Sequence, residues 1–222
     1  MEPGDLATAT IVNYQTPALT RRAFKSFRKH YADVPLILID NGSRDEESRQ
    51  ILEECRKEDA SRTEVISNNE NLHHGPAMEQ ALRHARSPFV LFLDSDVEVI
   101  EGGFLEMMTT LANGNAANYA IGQRVWMNKR GFMVRQNGGG FAYIRPHCML
   151  VKRELYLKLP KFQRHGAPCL DNMITAARLG FGLLDFPVHS YVNHSGRGTA
   201  GKFGYELGLR GKCNYLLNKL GL

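Results

Sequence analysis

Pro88–Val97 reads PFVLFLDSDV, and the architecture of the chain follows from how that stretch is built. Phe89 to Leu93 form an unbroken apolar run. Such a run suits a strand covered on both faces, as in a parallel sheet, rather than the alternating pattern of a half-exposed strand. It stops abruptly at Asp94-Ser95-Asp96. Open α/β sheets bind their ligands outside the carboxyl ends of the strands. Two carboxylates left unpaired at that edge repel each other. A divalent cation held by oxygen ligands and shared with a ligand's phosphates relieves the repulsion. Taken alone, a D-x-D is short and common, and the plainer reading has Asp96 merely open a loop or cap a helix.

Upstream, the same grammar repeats. Thr8–Tyr14, TATIVNY, is a β-branched strand, and Pro17 suits the first turn of a helix over Ala18–Tyr31 with Leu19, Ala23, Phe24 and Phe27 on one face. Pro35 opens a second strand, PLILIDN, which also stops at a carboxylate, Asp40. Gly42-Ser43 turns the chain, and Ser43 is placed to cap a helix running to Glu58. Thr63–Asn68, TEVISN, is a third strand, and Gly75-Pro76 opens a helix over Ala77–Ala85. The first hundred residues therefore read βαβαβαβ, a parallel doubly wound sheet. Its strand ends carry Asn13, Asp40, Asn68 and the Asp94/Asp96 pair at one edge.

Downstream the pattern is less regular. A helix is expected over Gly102–Ala112, strands or a hairpin from YAIGQRVW and GFMVRQNGG around Asn128–Gly131, and a flexible joint at Gly138-Gly139-Gly140. HCMLVKRELYLKL passes from strand to short helix, LDNMITAARLGF is a helix ending near Gly180, and GLLDFPVHSYVNH reads as a strand. With no repeat and no linker, the chain is taken as one domain: 8–98 a nucleotide-binding half, 99–200 a more irregular half, 201–222 a basic tail.

Composition narrows the function. The 222 residues are 43% hydrophobic with no apolar run near the length of a membrane span, and the first ten show no signal-peptide pattern. Cys55, Cys148, Cys169 and Cys213 are scattered, which disfavours zinc and a disulfide framework and fits a reducing cytoplasm. A net charge of +5 is compatible with an anionic small ligand, and interleaved acids with no known motif argue against nucleic acid. NYQTPA after the first strand lacks G-x-G-x-x-G, and no P-loop occurs, so dinucleotide-binding and P-loop readings fall away.

Five pieces in order, IVNYQTP, LILIDNGSRD, NLHHGPA leading into FVLFLDSDV, CMLVKRELYLKLPKF, and VNHSGRGT after DFP, resemble the inverting family 2 glycosyltransferases. The resemblance covers Thr8 to Thr199. It implies an α/β GT-A fold, a Rossmann-like nucleotide-diphospho-sugar transferase architecture with a mainly parallel central sheet flanked by helices. It implies that Asn13, Tyr14, Asn68 and Gly75 line the nucleotide-sugar pocket and that Asp40 contacts the base. Asp94 and Ser95 then touch the donor, while Asp96, Asp94 and His194 hold Mn²⁺ or Mg²⁺, which neutralises the diphosphate leaving group. Arg197 and Lys202, on a Gly-rich turn, form a basic lid on the diphosphate.

An inverting transfer needs a base for the acceptor hydroxyl. The family takes it from an E-D-x-D-type segment; here APCLDNMITAARLGF offers only Asp171, whose register within that motif is open. Asp45 is a first-turn acid and Asp185 a loop residue, neither with a site role. Other departures are His73 for glycine, Glu79 for asparagine, and FQR at Phe162–Arg164 for F-D-E, with His165-Gly166 near the acceptor. His73-His74 either reshape the donor pocket or lie on its rim. Trp126 and Tyr143 are read as core rather than sugar platforms.

The donor expected is a nucleotide sugar, UDP-linked first, and the acceptor a glycan, a lipid-linked or a small-molecule hydroxyl. The tail KFGYELGLRGKCNYLLNKLGL either packs back on the domain or touches an anionic membrane. The rivals are a nucleotidyltransferase, a retaining enzyme with the same metal motif, and a non-catalytic binder that has lost its base.

Overall fold

The computed structural model describes residues 6–163 and 167–195. Four parallel strands, β1 (Ala7–Asn13), β2 (Leu36–Asp40), β3 (Thr63–Ser67) and β4 (Phe89–Asp94), alternate with α1 (Pro17–His30), α2 (Glu46–Glu58) and α3 (His74–His84). After them come β5 (Val97–Val99), α4 (Phe104–Asn113), β6 (Asn118–Met127), β7 (Phe141–Lys152) and α5 (Arg153–Tyr156). The described chain closes with α6 (Leu170–Arg178), β8 (Gly182–Asp185) and β9 (Val192–His194). The main sheet runs β3-β2-β1-β4-β7-β6-β8, with β7 antiparallel to both neighbours, and β5 pairs with β9 in a separate two-stranded ribbon. The sheet is thus parallel in its first half and mixed in its second.

Burial on both faces follows from the apolar runs. Along β4, Phe89, Leu91 and Leu93 join the core with α1, α2 and α4, while Val90 and Phe92 join the opposite core with α3 and α6. Leu36 and Leu38 on β2 likewise face one side, and Ile37 and Ile39 the other. At about 25 cal/mol per Å² of apolar area, this double burial makes β2 and β4 intolerant of a polar change.

Several expectations are corrected. Ser43 does not cap α2; Asp45 does, accepting from the Ser48 N–H at 2.7 Å. The third helix starts at His74, so Gly75 and Pro76 lie in its first turn, where a proline's missing N–H costs nothing. GFMVRQNGG is not a regular strand: the chain turns tightly at Asn128–Gly131, makes one bridge from Met133 to Met127, and returns to β6 only at Phe141. The expected strand through His194 is three pieces, β8, a 3-10 turn at Val188–Ser190 and β9, because Pro187 has no N–H for a ladder. Gly180, at φ +79, ends the α6 region as expected.

Candidate active site

The carboxyl edge of β1, β2 and β4 is tied together by side chains. Asn13 is fully buried at the end of β1. Its Nδ2 donates to Asp40 Oδ1 (3.3 Å) and Ser43 Oγ (3.1 Å), and its Oδ1 accepts from Thr16 N–H (3.2 Å), Thr16 Oγ1 (3.1 Å) and Thr20 Oγ1 (2.8 Å). Thr16 Oγ1 also lies 3.0 Å from Ser95 Oγ. Thr16 is the donor in that contact, so its single hydroxyl hydrogen is shared between Asn13 Oδ1 and Ser95 Oγ. Strand ends β2, β1 and β4 are thereby linked through Asp40, Asn13, Thr16 and Ser95. Asp40 is buried and also accepts from the Ser43 N–H at 3.2 Å, so it anchors the Gly42-Ser43 turn.

A second cluster holds the approach to α3. Asn41 accepts from Asn68 Nδ2 and the Leu72 N–H, both at 3.2 Å, and donates to Asn71 Oδ1 at 3.0 Å. His73, at φ +69, precedes the helix, and its neighbour His74 brings Nε2 to 3.5 Å from Asp94 Oδ1. His73 is exposed, on the rim; His74 faces the site. Tyr14 is half-buried just after β1, and Gly75 is buried in α3. Glu79, also buried, pairs with Arg83 at 2.7 Å.

The β5–β9 ribbon completes the centre. It sets His194 opposite Val97, so the histidine returns to the turn that begins at Asp94. His194 Nε2 lies 3.2 Å from Asp96 Oδ1 and 4.0 Å from Asp94 Oδ2. Ligand atoms of the three side chains all fall within 4.8 Å of one another. Two carboxylates and an imidazole are a donor set suited to a divalent first-row ion. Burial pushes the Asp94 carboxyl above its ordinary range, and its neighbour Asp96 adds to the rise while His74 opposes it. The hydrogen bond that His194 donates to Asp96 raises the histidine above its ordinary value. His147, stacked on His194 at 4.7 Å between ring centres, is pushed down to about 3, by burial first and the charge of His194 next. It therefore stays neutral at physiological pH.

Asp171 sits elsewhere on this surface. It is exposed in the first turn of α6 and lines a cavity of about 310 Å³ with Lys129, Phe141, Ile174, Thr175 and Arg178. Cys169, just before α6, is fully buried; burial raises its thiol first, and the Asp94 charge adds to the rise. Tyr143 is core, as expected, and Trp126 is half-buried. Arg197, Lys202, Arg164, His165, Gly166 and the basic tail lie outside the described residues. No helix among the described residues is long and apolar enough to cross a membrane.

The sequence reading missed Asn41, Arg145 and His147. A polar residue after Asp40 was the only sign of the first, and nothing local marked the other two, which lie in a distortion of β7 that stacks His147 on His194.

This arrangement can be set beside known proteins. Among the solved structures that superpose on the chain are two that carry Mn²⁺. One is the mannosyltransferase PcManGT from Pyrobaculum calidifontis in complex with GDP-Man and Mn²⁺. It has TM-score 0.66 and 16% identity, with 84% of this chain and 56% of that one covered. The other is GalNAc-T7 with UDP, GalNAc and Mn²⁺, at TM-score 0.68 and 15% identity, with 84% and 43% covered. The chain spans about half the length of these structures, and at such identity the likeness establishes the GT-A fold. No curated protein sequence matches the chain significantly. Residues 8–167 match the family described as Glycosyl transferase family 2, and the chain belongs to that family of glycosyltransferases.

Proposed function

We propose that the protein transfers a sugar from a nucleoside diphosphate donor, a UDP-sugar first among the candidates, to an acceptor hydroxyl with inversion, using a divalent metal. The observation that carries this reading is the convergence of Asp94, Asp96 and His194 at the carboxyl edge of the sheet. These three would hold Mn²⁺ or Mg²⁺, which when bound neutralises charge on the diphosphate. The Mn²⁺ of both matched structures supports the first of the two ions. Asp40 and Asn13 shape the nucleoside end, Asn13 as organiser and Asp40 through its remaining acceptor capacity, with Tyr14, Asn68 and Gly75 flanking it. Asp171 is the base: it takes the acceptor's hydroxyl proton while that oxygen attacks the anomeric carbon from the face opposite the leaving diphosphate. The cavity beside Asp171 is the space assigned to the acceptor, and its volume is at the small end of ligand pockets. Arg197 is assigned to the diphosphate.

The test is thermal stability with UDP, GDP, dTDP and CDP, each with Mn²⁺, Mg²⁺ or EDTA. One diphosphate should stabilise the wild type only with metal, and Asp96→Ala should abolish that shift. Asp171→Asn should bind the donor normally and lose ~10²- to 10⁴-fold in turnover. Metal-independent binding, or unchanged turnover in D171N, would sink the respective assignment.

A further inference from the structure

We infer that Arg145 binds the diphosphate of the donor as it leaves, presented by a bulge in β7 opposite Gln123. This rests on the glycosyltransferase reading above and adds a residue to it.

The bulge is visible in the register. β6 and β7 pair at Gly122↔Met149 and again at Arg124↔Ile144. Between those pairs β6 has Gln123 alone, while β7 has Arg145, Pro146, His147 and Cys148. On its other side β7 pairs with β4 only as far as Leu93↔Cys148, one residue short of Asp94. The extra length of β7 is thus spent where β4 delivers its carboxylates. Bulges re-aim side chains, and a proline is tolerated in one because no ladder bond is lost. Gly122 makes the bulge possible: a Cβ there would lie 2.7 Å from the Cys148 carbonyl oxygen and 2.8 Å from Ile144 Cγ2.

The bulge brings two residues to the site. His147 stacks on His194. Arg145, two positions back, is half-buried, and its Nη1 donates to Gln123 Oε1 at 3.3 Å, a bond that restrains the guanidinium. Its charge is felt at Asp94, His147 and His194. Yet among the described residues it makes no ion pair with Asp94 or Asp96, so most of its fork is left for a ligand.

Charge counting says which ligand. A divalent ion and the two aspartates sum to zero, and Arg197, assigned above to the diphosphate, offsets only one of its two negative charges, which leaves room for a second cation. When the anomeric C–O bond breaks, its electron pair stays on the phosphate oxygen and the charge there grows. A guanidinium spanning two oxygens is suited to that group, and a rigid one on a sheet needs no reorganisation.

The test is calorimetric titration of wild type, Arg145→Gln and Arg145→Lys with Mn²⁺ alone, then with the selective nucleoside diphosphate and its monophosphate in Mn²⁺. R145Q should weaken the diphosphate ~10- to 100-fold and the monophosphate less, without weakening Mn²⁺ alone. R145K, which keeps the charge without the fork, should fall between and covers the case of an unstable R145Q. Diphosphate affinity unchanged in both variants, or Mn²⁺ lost in parallel with diphosphate, would overturn the assignment of Arg145 alone. Absence of metal-dependent diphosphate binding by the wild type would overturn the glycosyltransferase reading and this assignment with it.

Discussion

Asn13→Ala is the substitution that separates an organiser of the sheet edge from a nucleotide contact. The amide is fully buried and makes five hydrogen bonds, to Asp40, Ser43, Thr16 (N–H and hydroxyl) and Thr20. Not all are lost outright. The Thr20 hydroxyl can turn to a carbonyl in the preceding turn, Ser43 Oγ still accepts from the Gln15 N–H at 3.0 Å, and Asp40 keeps the Ser43 N–H at 3.2 Å. What has no substitute is the acceptor for the Thr16 N–H and the bond to the buried Asp40 carboxylate. An orphaned buried donor costs ~1–3 kcal/mol, and a hydrogen bond to a charged group is worth ~1.5–3 kcal/mol. The expected loss is about 3 kcal/mol, or a drop in Tm of ~6–12 °C for a chain of this size. Urea unfolding should show a lower midpoint at unchanged slope, since no new surface is exposed. A loss below ~1 kcal/mol together with lost diphosphate binding would refute the reasoning and make Asn13 a direct ligand contact.

Two further outcomes are expected. Lys152 is buried on β7 with its Nζ donating to the carbonyls of Ala112 (2.8 Å), Asn115 (3.2 Å) and Ala116 (3.4 Å), a cation set at the C-terminal end of α4. Lys152→Met should cost ~2–3 kcal/mol in chemical denaturation by leaving those oxygens unpaired, and a neutral result would show that they find other donors. In EDTA, His194 contributes stability that is fully present below its ordinary pKa, 6.5, and fades as pH rises through its raised folded value. Melting temperature should therefore fall as pH rises above 6.5 in wild type and less so in His194→Gln, and Mn²⁺ affinity should rise over the same range as the competing proton leaves. Parallel pH profiles for the two proteins would remove His194 from the linkage.

The parallel half of the fold is legible in the sequence because its cause is local. β1, β2 and β4 are apolar runs that end in Asn13, Asp40 and Asp94, and double burial requires that composition whatever the neighbours are. The carboxylate pair, the helix faces and the stop at Gly180 follow in the same way from residues close in sequence. What tertiary structure alone decided has its cause far along the chain. His194 joins Asp96 because β9 pairs with β5, three residues matched to three, and short ribbons have no periodic signature. His147 reaches His194 because β7 carries four residues against one on β6, a mismatch that exists only once both strands are paired. Asn13 reads as a pocket residue at the end of a strand; only the folded edge commits its amide to Asp40, Ser43, Thr16 and Thr20. Apolar patterning is set by burial, which each strand encodes for itself, whereas the site is set by register, which belongs to pairs of strands.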